Sequence, residues 1–281
     1  MPFFELFDET LDINSTENYE LSIQVSPDSL SFCLLDSIRS KYVMLRTFGA
    51  DENKYFNAGQ ISELLLNDDF LTKRFKRINC VMPSSKFTLV PTALYDPGKK
   101  DEYFGFNHNL QDDNIILADK IRDPDAFLVF SISRSISELI RSVYPKINPH
   151  HHIKVLLEHT SFIRNSFNGN YIHAHIERDF FNLFIFNNNN LKFCNSFAYR
   201  NISDILYYVM NVFNNLGIKQ EETIHFSGMT EKYDDLSSGF SLYIRNIRYT
   251  EPSGNFTFSY VFNDTELHRF INLFNVANCE S

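Results

Sequence analysis

The sequence predicts an α/β protein made of two βββαβαβ units of common ancestry, one after the other along the chain. Two observations carry this. Residues 20–83 and 171–228 each read as three short strand-like runs, an amphipathic helix and one compact apolar strand, in that order. Laid over each other, Leu21–Phe48 and Ile172–Tyr199 align without a gap, so that Asp28 falls on Asp179, Lys41 on Lys192 and Tyr42 on Phe193. Past a longer loop in the first copy, ISELL at 61–65 meets ISDIL at 202–206.

Each element has a local reason. ELSIQV (20–25), SLSFCLL (29–35) and KYVMLRTF (41–48) are rich in β-branched and aromatic residues and are separated by turn formers, the pattern of an antiparallel meander. AGQISELLLNDDFLTKRFK (58–76) spaces Ile61, Leu64, Leu65 and Phe70 as a helix would. RINCVMP (77–83) is a strand closed by proline. In the second copy YIHAHI (171–176), FNLFIF (181–186) and LKFCNSFAY (191–199) are the three strands. NISDILYYVMNVFNNLG (201–217) is a helix capped by Asn201 and ended by Gly217, and ETIHFSG (222–228) is the compact strand.

A βββαβαβ unit is the building block of the ribonuclease-H-like superfamily, and two such units facing a cleft make the actin-like ATPase fold. On this plan residues 1–17 are an N-terminal extension, 18–165 the first domain and 166–281 the second. A small subdomain of strands and turns is inserted at about 84–126. FLVFSI (127–132), the helix at 133–145 and HHIKVLLEH (151–159) finish the first domain. LYIRNIRYT (242–250), NFTFSYVF (255–262) and the helical TELHRFINLFNVA (265–277) complete and cover the second sheet. The stretches NYELSIQVSPDSLSFCLLD (18–36), FTLVP (87–91) and HRFINLFNVANCE (268–280) resemble a bacterial family of unknown function with an actin-like ATPase fold. The layout is more distantly similar to the actin-like platform proteins of type IV pilus assembly. This resemblance spans essentially the whole chain; it implies a fold and brings no established activity.

In actin-like ATPases each first hairpin grips phosphate with a DxG-type bend, where the aspartate positions metal or water and glycine lets amides approach. The matching positions here are Gln24-Val25-Ser26 and His175-Ile176-Glu177, without aspartate or glycine. Glu177 is the more consequential replacement. A carboxylate about 4 Å from a phosphate oxygen costs roughly 4 kcal/mol at an effective dielectric of 20, against the roughly 8 kcal/mol of a micromolar ligand. Removing that side chain, as in Glu177→Gly, is expected to create nucleotide affinity. A register shift of one or two positions would instead offer Asp28 and Asp179 as metal ligands; aspartate also simply favours turns. Ser227-Gly228 stands where the superfamily places its adenosine-binding Gly-Gly turn, or serves only the turn itself.

Composition narrows the partners. The 281 residues carry a net charge of −9, which argues against duplex nucleic acid or an anionic membrane surface; TKRFKR (72–77) reads as a solvated, helix-like run. The acidic N-terminus has no signal-peptide pattern, no stretch reaches a membrane span, and the four scattered cysteines form no CxxC. Those features point to the cytoplasm. His150–His152, His173 and His175 lack the converging partners zinc needs, and His173 and His175 read as cleft-wall or inter-domain residues. NNNN (187–190) is a hairpin loop, and the Phe180–Phe186 aromatics pack the sheet. Nuclease chemistry lacks the mid-strand carboxylate it requires, and no GxSxG elbow supports serine hydrolysis. The expectation is a non-catalytic actin-like-fold binding or scaffold protein, without a cofactor and with an unidentified protein as possible partner. The alternative is an atypical ATPase or kinase-like protein that uses ATP and magnesium. The sequence leaves the oligomeric state open.

Overall fold

The structure, a computed structural model, describes residues 2–50, 55–163 and 169–279. The chain forms two units: Met1–Glu158 with Ser253–Thr265 and Asn272–Ser281, and His159–Pro252 with Glu266–Ile271.

The first unit begins with β1 (Phe4–Phe7) and the meander β2 (Tyr19–Val25), β3 (Ser29–Asp36) and β4 (Lys41–Gly49). Helix α1 (Ala58–Asn67) follows, and β5 (Arg77–Met82) returns parallel to β2. Asn57 caps α1: its side chain accepts from Gln60 N at 2.9 Å, and the Gln60 side chain accepts from Asn57 N at 3.0 Å, satisfying two orphan donors at once. The helix stops at Asn67, well short of the expected Lys76. The Asp68 side chain accepts from the amides of Phe70 and Leu71 and turns the chain aside. TKRFKR therefore runs from an irregular turn into Arg77, the first residue of β5, and is not on a helix.

Next come β6 (Phe87–Pro91), α2 (Lys100–Gly105), β7 (Asn114–Ile121) and β8 (Ala126–Ser133). They include a separate three-stranded sheet in the order β6-β8-β7. FLVFSI, expected to follow the inserted subdomain and help finish the first domain, is instead the central strand of this small sheet, with Phe130 paired to Phe87 on one side and Leu117 on the other. Val90, Phe104, Ile116 and Val129 form its own apolar cluster, which holds β8 there. Helix α3 (Arg134–Val143) packs on α1, and the short β9 (His150–His151) pairs with β5 before α4 (His152–Ile163).

In the second unit β10 (Asn170–Ile176), β11 (Phe180–Asn187) and β12 (Asn190–Ala198) form the meander. Helix α5 (Ile202–Leu216), β13 (Thr223–Gly228), α6 (Asp235–Ser241) and β14 (Asn246–Tyr249) follow. The sheet order is β12-β11-β10-β13-β14, with the last three strands parallel. Asn201 and Asp204 make the capping box of α5, and Gly217 ends it at φ +66°. Ile205, Val209, Val212 and Phe213 bury against Ile172, Ala174, Ile176 and Phe226 of the sheet.

The two meanders match closely in detail. Both carry a register irregularity at the corresponding place, between Leu34 and Leu35 and between Ile185 and Phe186. They differ in the second hairpin. Asp36 pairs with Lys41 across a four-residue loop, whereas Asn187 pairs with Asn190 across two. Asn188 and Asn189 adopt φ +45° and +66° there, as a tight hairpin turn demands. The gapless alignment therefore fails in the third strand: Tyr42 and Leu191, not Phe193, occupy corresponding positions opposite Leu35 and Phe186.

NFTFSYVF does not extend the second sheet. Its strand β15 (Thr257–Phe258) pairs in parallel with β4, and the helix α7 (Ile271–Asn275) ends within the first unit. The cause is aromatic packing. Phe256, Phe258 and Phe274 surround Tyr42 with ring centroids 4.9, 5.4 and 4.8 Å away, and the buried Tyr42 hydroxyl donates to the Phe274 carbonyl.

Candidate functional site

Strand β10 builds the second-unit bend. Its alternation turns Ile172, Ala174 and Ile176 toward the apolar core under α5 and Tyr171, His173, His175 and Glu177 toward the opposite face. All four of these polar side chains are buried, and buried polar groups need partners. They find them in one continuous chain. Tyr171 OH is 3.0 Å from His173 Nδ1, and His173 Nε2 is 2.6 Å from Ser227 Oγ. Ser227 Oγ is 2.7 Å from His175 Nδ1, and His175 Nε2 is 3.1 Å from Glu177 Oε1. At the far end Thr250 Oγ1 lies 3.3 Å from Tyr171 OH. The parallel register of β10 and β13 sets His175 beside Ser227.

Burial shapes the electrostatics. It drives the His173 pKa well below the ordinary value, and the nearby His175, His225 and His159 push the same way. His225, stacked on Tyr171, is lowered to about 4 by burial despite its hydrogen bond to the Ile172 carbonyl. Burial also raises the Tyr171 phenol.

Gly228 closes the corner at φ +83°. A Cβ there would stand 2.1 Å from the Ile176 carbonyl oxygen, because Met229 N donates to that same oxygen at 2.7 Å. Only glycine fits.

The first-unit bend has different chemistry. Gln24 Nε2 donates to Ser26 Oγ at 3.3 Å, and Ser26 N closes the turn onto Ser29 O at 2.9 Å. Pro27 has no amide hydrogen to offer an anion; its carbonyl accepts from Phe56 N, and that of Asp28 from Ala50 N. The second bend closes alike, with Glu177 N on Phe180 O at 2.9 Å and Tyr199 N on Asp179 O. Tyr199 OH also donates to Glu177 O at 2.7 Å.

The structure thus joins His175, Glu177, Ser227 and Gly228 in one cluster. Asp179 stands exposed at the bend tip, while Gln24, Ser26 and Asp28 belong to the other unit's bend. His173 and His175 are buried members of the chain. Among the described residues no group of three or more histidine, cysteine or acidic side chains is arranged to hold a metal. Sequence reasoning passed over Tyr171, His225 and Thr250. The signal for Tyr171 was present in YIHAHIE, where every second residue is polar. A groove of about 380 Å³ in the first unit was also not foreseen; Phe48, Phe56, Gln60, Glu63, Leu64 and Asp68 help to line it.

This architecture is that of the actin-like ATPases. A Bacteroides thetaiotaomicron protein of unknown function with an actin-like ATPase fold is similar over 96% of this chain and 100% of its own, at 21% identity and a TM-score of 0.83. A chain of the PilM–PilN type IV pilus biogenesis complex covers 92% of this chain and 98% of its own, at 10% identity and a TM-score of 0.58. The protein belongs to the family described as protein of unknown function (DUF3822), whose model matches residues 8–247. No curated protein matches the sequence. Among the described residues no helix is long and apolar enough to cross a membrane.

Proposed function

We propose that this is a non-catalytic protein of actin-like fold, a cytoplasmic binding or scaffold module whose two units share an ancestor and whose phosphate-gripping bends have lost that capacity. The reading rests on the Glu177–His175–Ser227 cluster, a buried carboxylate at the bend that by position in the chain matches a phosphate-gripping bend of the superfamily. Pro27 and the closed turn at Ser26 support it from the other bend. The amide of Glu177 is likewise engaged, so removing the side chain alone leaves that donor occupied; Glu177→Gly is therefore expected to lift the charge repulsion without restoring tight binding. All four cysteines are free thiols, which suits a reducing compartment. The ligand such a module requires is another protein, and one fold relative is seen in a complex of two proteins.

Thermal denaturation with and without millimolar ATP and magnesium tests the reading. A ligand at 100 times its dissociation constant adds about 2.7 kcal/mol, or several degrees of Tm for a chain of this size. The expected result is no shift. A rise of several degrees would favour the alternative, an atypical nucleotide-binding protein using Asp28, Asp179 and Ser227-Gly228.

A further inference from the structure

Strand β12 is the outer strand of its sheet, and among the described residues no strand pairs with its far side. Its counterpart in the first unit is covered. There β4, the third strand of the other meander, carries β1 and β15 on its far side. Just before the irregularity in each meander Met44 stands opposite Leu34 and Phe193 opposite Ile185, so Leu45 and Thr47 correspond to Cys194 and Ser196. The Thr47 carbonyl accepts from Phe3 N at 2.8 Å. Main-chain groups alternate sides along an antiparallel strand. Tyr199 N donates to Asp179 O, toward β11, which turns Phe197 and Asn195 the same way and leaves Ser196 and Cys194 facing outward. The outward Ser196 amide takes its neighbour's side chain, donating to Asn195 Oδ1 at 2.9 Å.

The residue types along this edge read alike in both directions. LKFCNSFAY (191–199) has Asn195 at its centre, the small Cys194 and Ser196 beside it, Phe193 and Phe197 next, and Leu191 and Tyr199 at its ends. Phe193 and Phe197 pack on the apolar cluster under α5. Their rings lie 6.2 Å apart, and Phe197 stacks on Tyr208 at 4.8 Å. Asn195 falls between them on the same face by alternation and is exposed. A two-fold interface uses one patch twice, so it requires a surface complementary to itself. A strand symmetric about one residue meets that requirement.

We propose that β12 is the edge on which a second copy of this chain docks, its own β12 running antiparallel about a two-fold axis at Asn195. In that register Cys194 faces the partner's Ser196 and Ser196 the partner's Cys194, each pair exchanging both main-chain hydrogen bonds. The Ser196 amide leaves the Asn195 side chain for a carbonyl. Phe193 stands opposite the partner's Phe197 on either side of the axis, an aromatic cross-strand pair. Lys192, the one charged residue of NLKFCNSFA, falls opposite the partner's Ala198, so no like charges meet. An unpaired edge is a template for any extended chain; its symmetry is what selects a second copy. Pairing here needs nothing of the phosphate bends and holds whether or not they bind nucleotide.

Sedimentation equilibrium of the full chain, over about 1 µM to 1 mM so as to span micromolar and millimolar dissociation constants, is expected to show the mass rise from monomer to dimer. Ser196→Pro removes an outward donor and leaves the ladder to β11 intact; it should keep the chain monomeric throughout. Asn195→Lys and Asn195→Glu, at an exposed position, each set like charges across the axis and should weaken the dimer about tenfold or more. An equimolar mixture of those two sets opposite charges across it and should regain the dimer. If Ser196→Pro fails to fold, the Asn195 variants decide. A wild type that stays monomeric overturns the proposal. So does a dimer that these variants leave unchanged, or a mixture that associates no better than either variant alone.

Discussion

Gly228 shows how one residue fixes this corner. Its positive φ is costly for any L residue, by about 1–2 kcal/mol, and the backbone collision with Ile176 O comes on top. Gly228→Ala should therefore destabilise the protein by at least about 2 kcal/mol in urea unfolding; an unchanged midpoint would mean the turn relaxes freely. At this scale the sequence was partly readable. Ser227-Gly228 and Glu177 stand out by type and position, and the alternation in YIHAHIE marks a polar strand face. What local pattern does not carry is which partner strand fills the gap between two histidines. Ser227 lies 52 residues beyond His175, and only the parallel pairing of β10 with β13 brings them together. Pro27, by contrast, could have been read as a missing donor directly from SPD.

Among the elements, β4 is fastened at its start by a buried acid. Asp8 ion-pairs with Lys41 Nζ at 3.0 Å and accepts from Ser259, the residue just after β15. Burial works to raise the Asp8 pKa, but hydrogen bonds from Ser259, Thr10 and Lys41 outweigh it and hold the carboxyl well below the ordinary range. Asp8→Ala should cost about 2–3 kcal/mol, the scale of a charged hydrogen-bond group lost from a buried site, with Ser259→Ala costing less; unfolding midpoints of the two variants check this order. Strand identities were legible because period-2 runs and turn formers are local. Which strands pair was not, as FLVFSI, which joins the inserted subdomain, and NFTFSYVF show: both are strand-forming, but their partners are chosen by distant aromatic and aliphatic clusters. The shifted third strand has the same lesson in reverse, since NNNN announces a turn without stating that it spans two residues rather than four.

Across the whole molecule, buried neutral histidines set the response to acid. Burial lowers His159 and His225 to about 4 and His151 to about 3, from an ordinary value of 6.5. The unfolded chain takes up these protons below pH 6.5 while the native state refuses them until the lower values. Stability is therefore full above about pH 6.5 and is lost as pH falls toward 4. Each such histidine contributes about 1.4 kcal/mol per pH unit within that window, so three together approach roughly 4 kcal/mol per pH unit. The Asp8 contribution disappears only below its ordinary value of 3.8, so the histidines are lost first. Urea midpoints should be level from pH 8 to 7 and fall steeply between 6 and 4.5; a flat profile there would mean these rings are protonated in the native state.

The central claim is that an actin-like fold persists here with bends that no longer hold phosphate. Backbone amide shifts during titration with magnesium-ATP test it residue by residue. The account predicts that the amides of Ser26, Asp28, Glu177 and Gly228 stay in place at millimolar nucleotide. Saturable displacement of amides from both bends would contradict it.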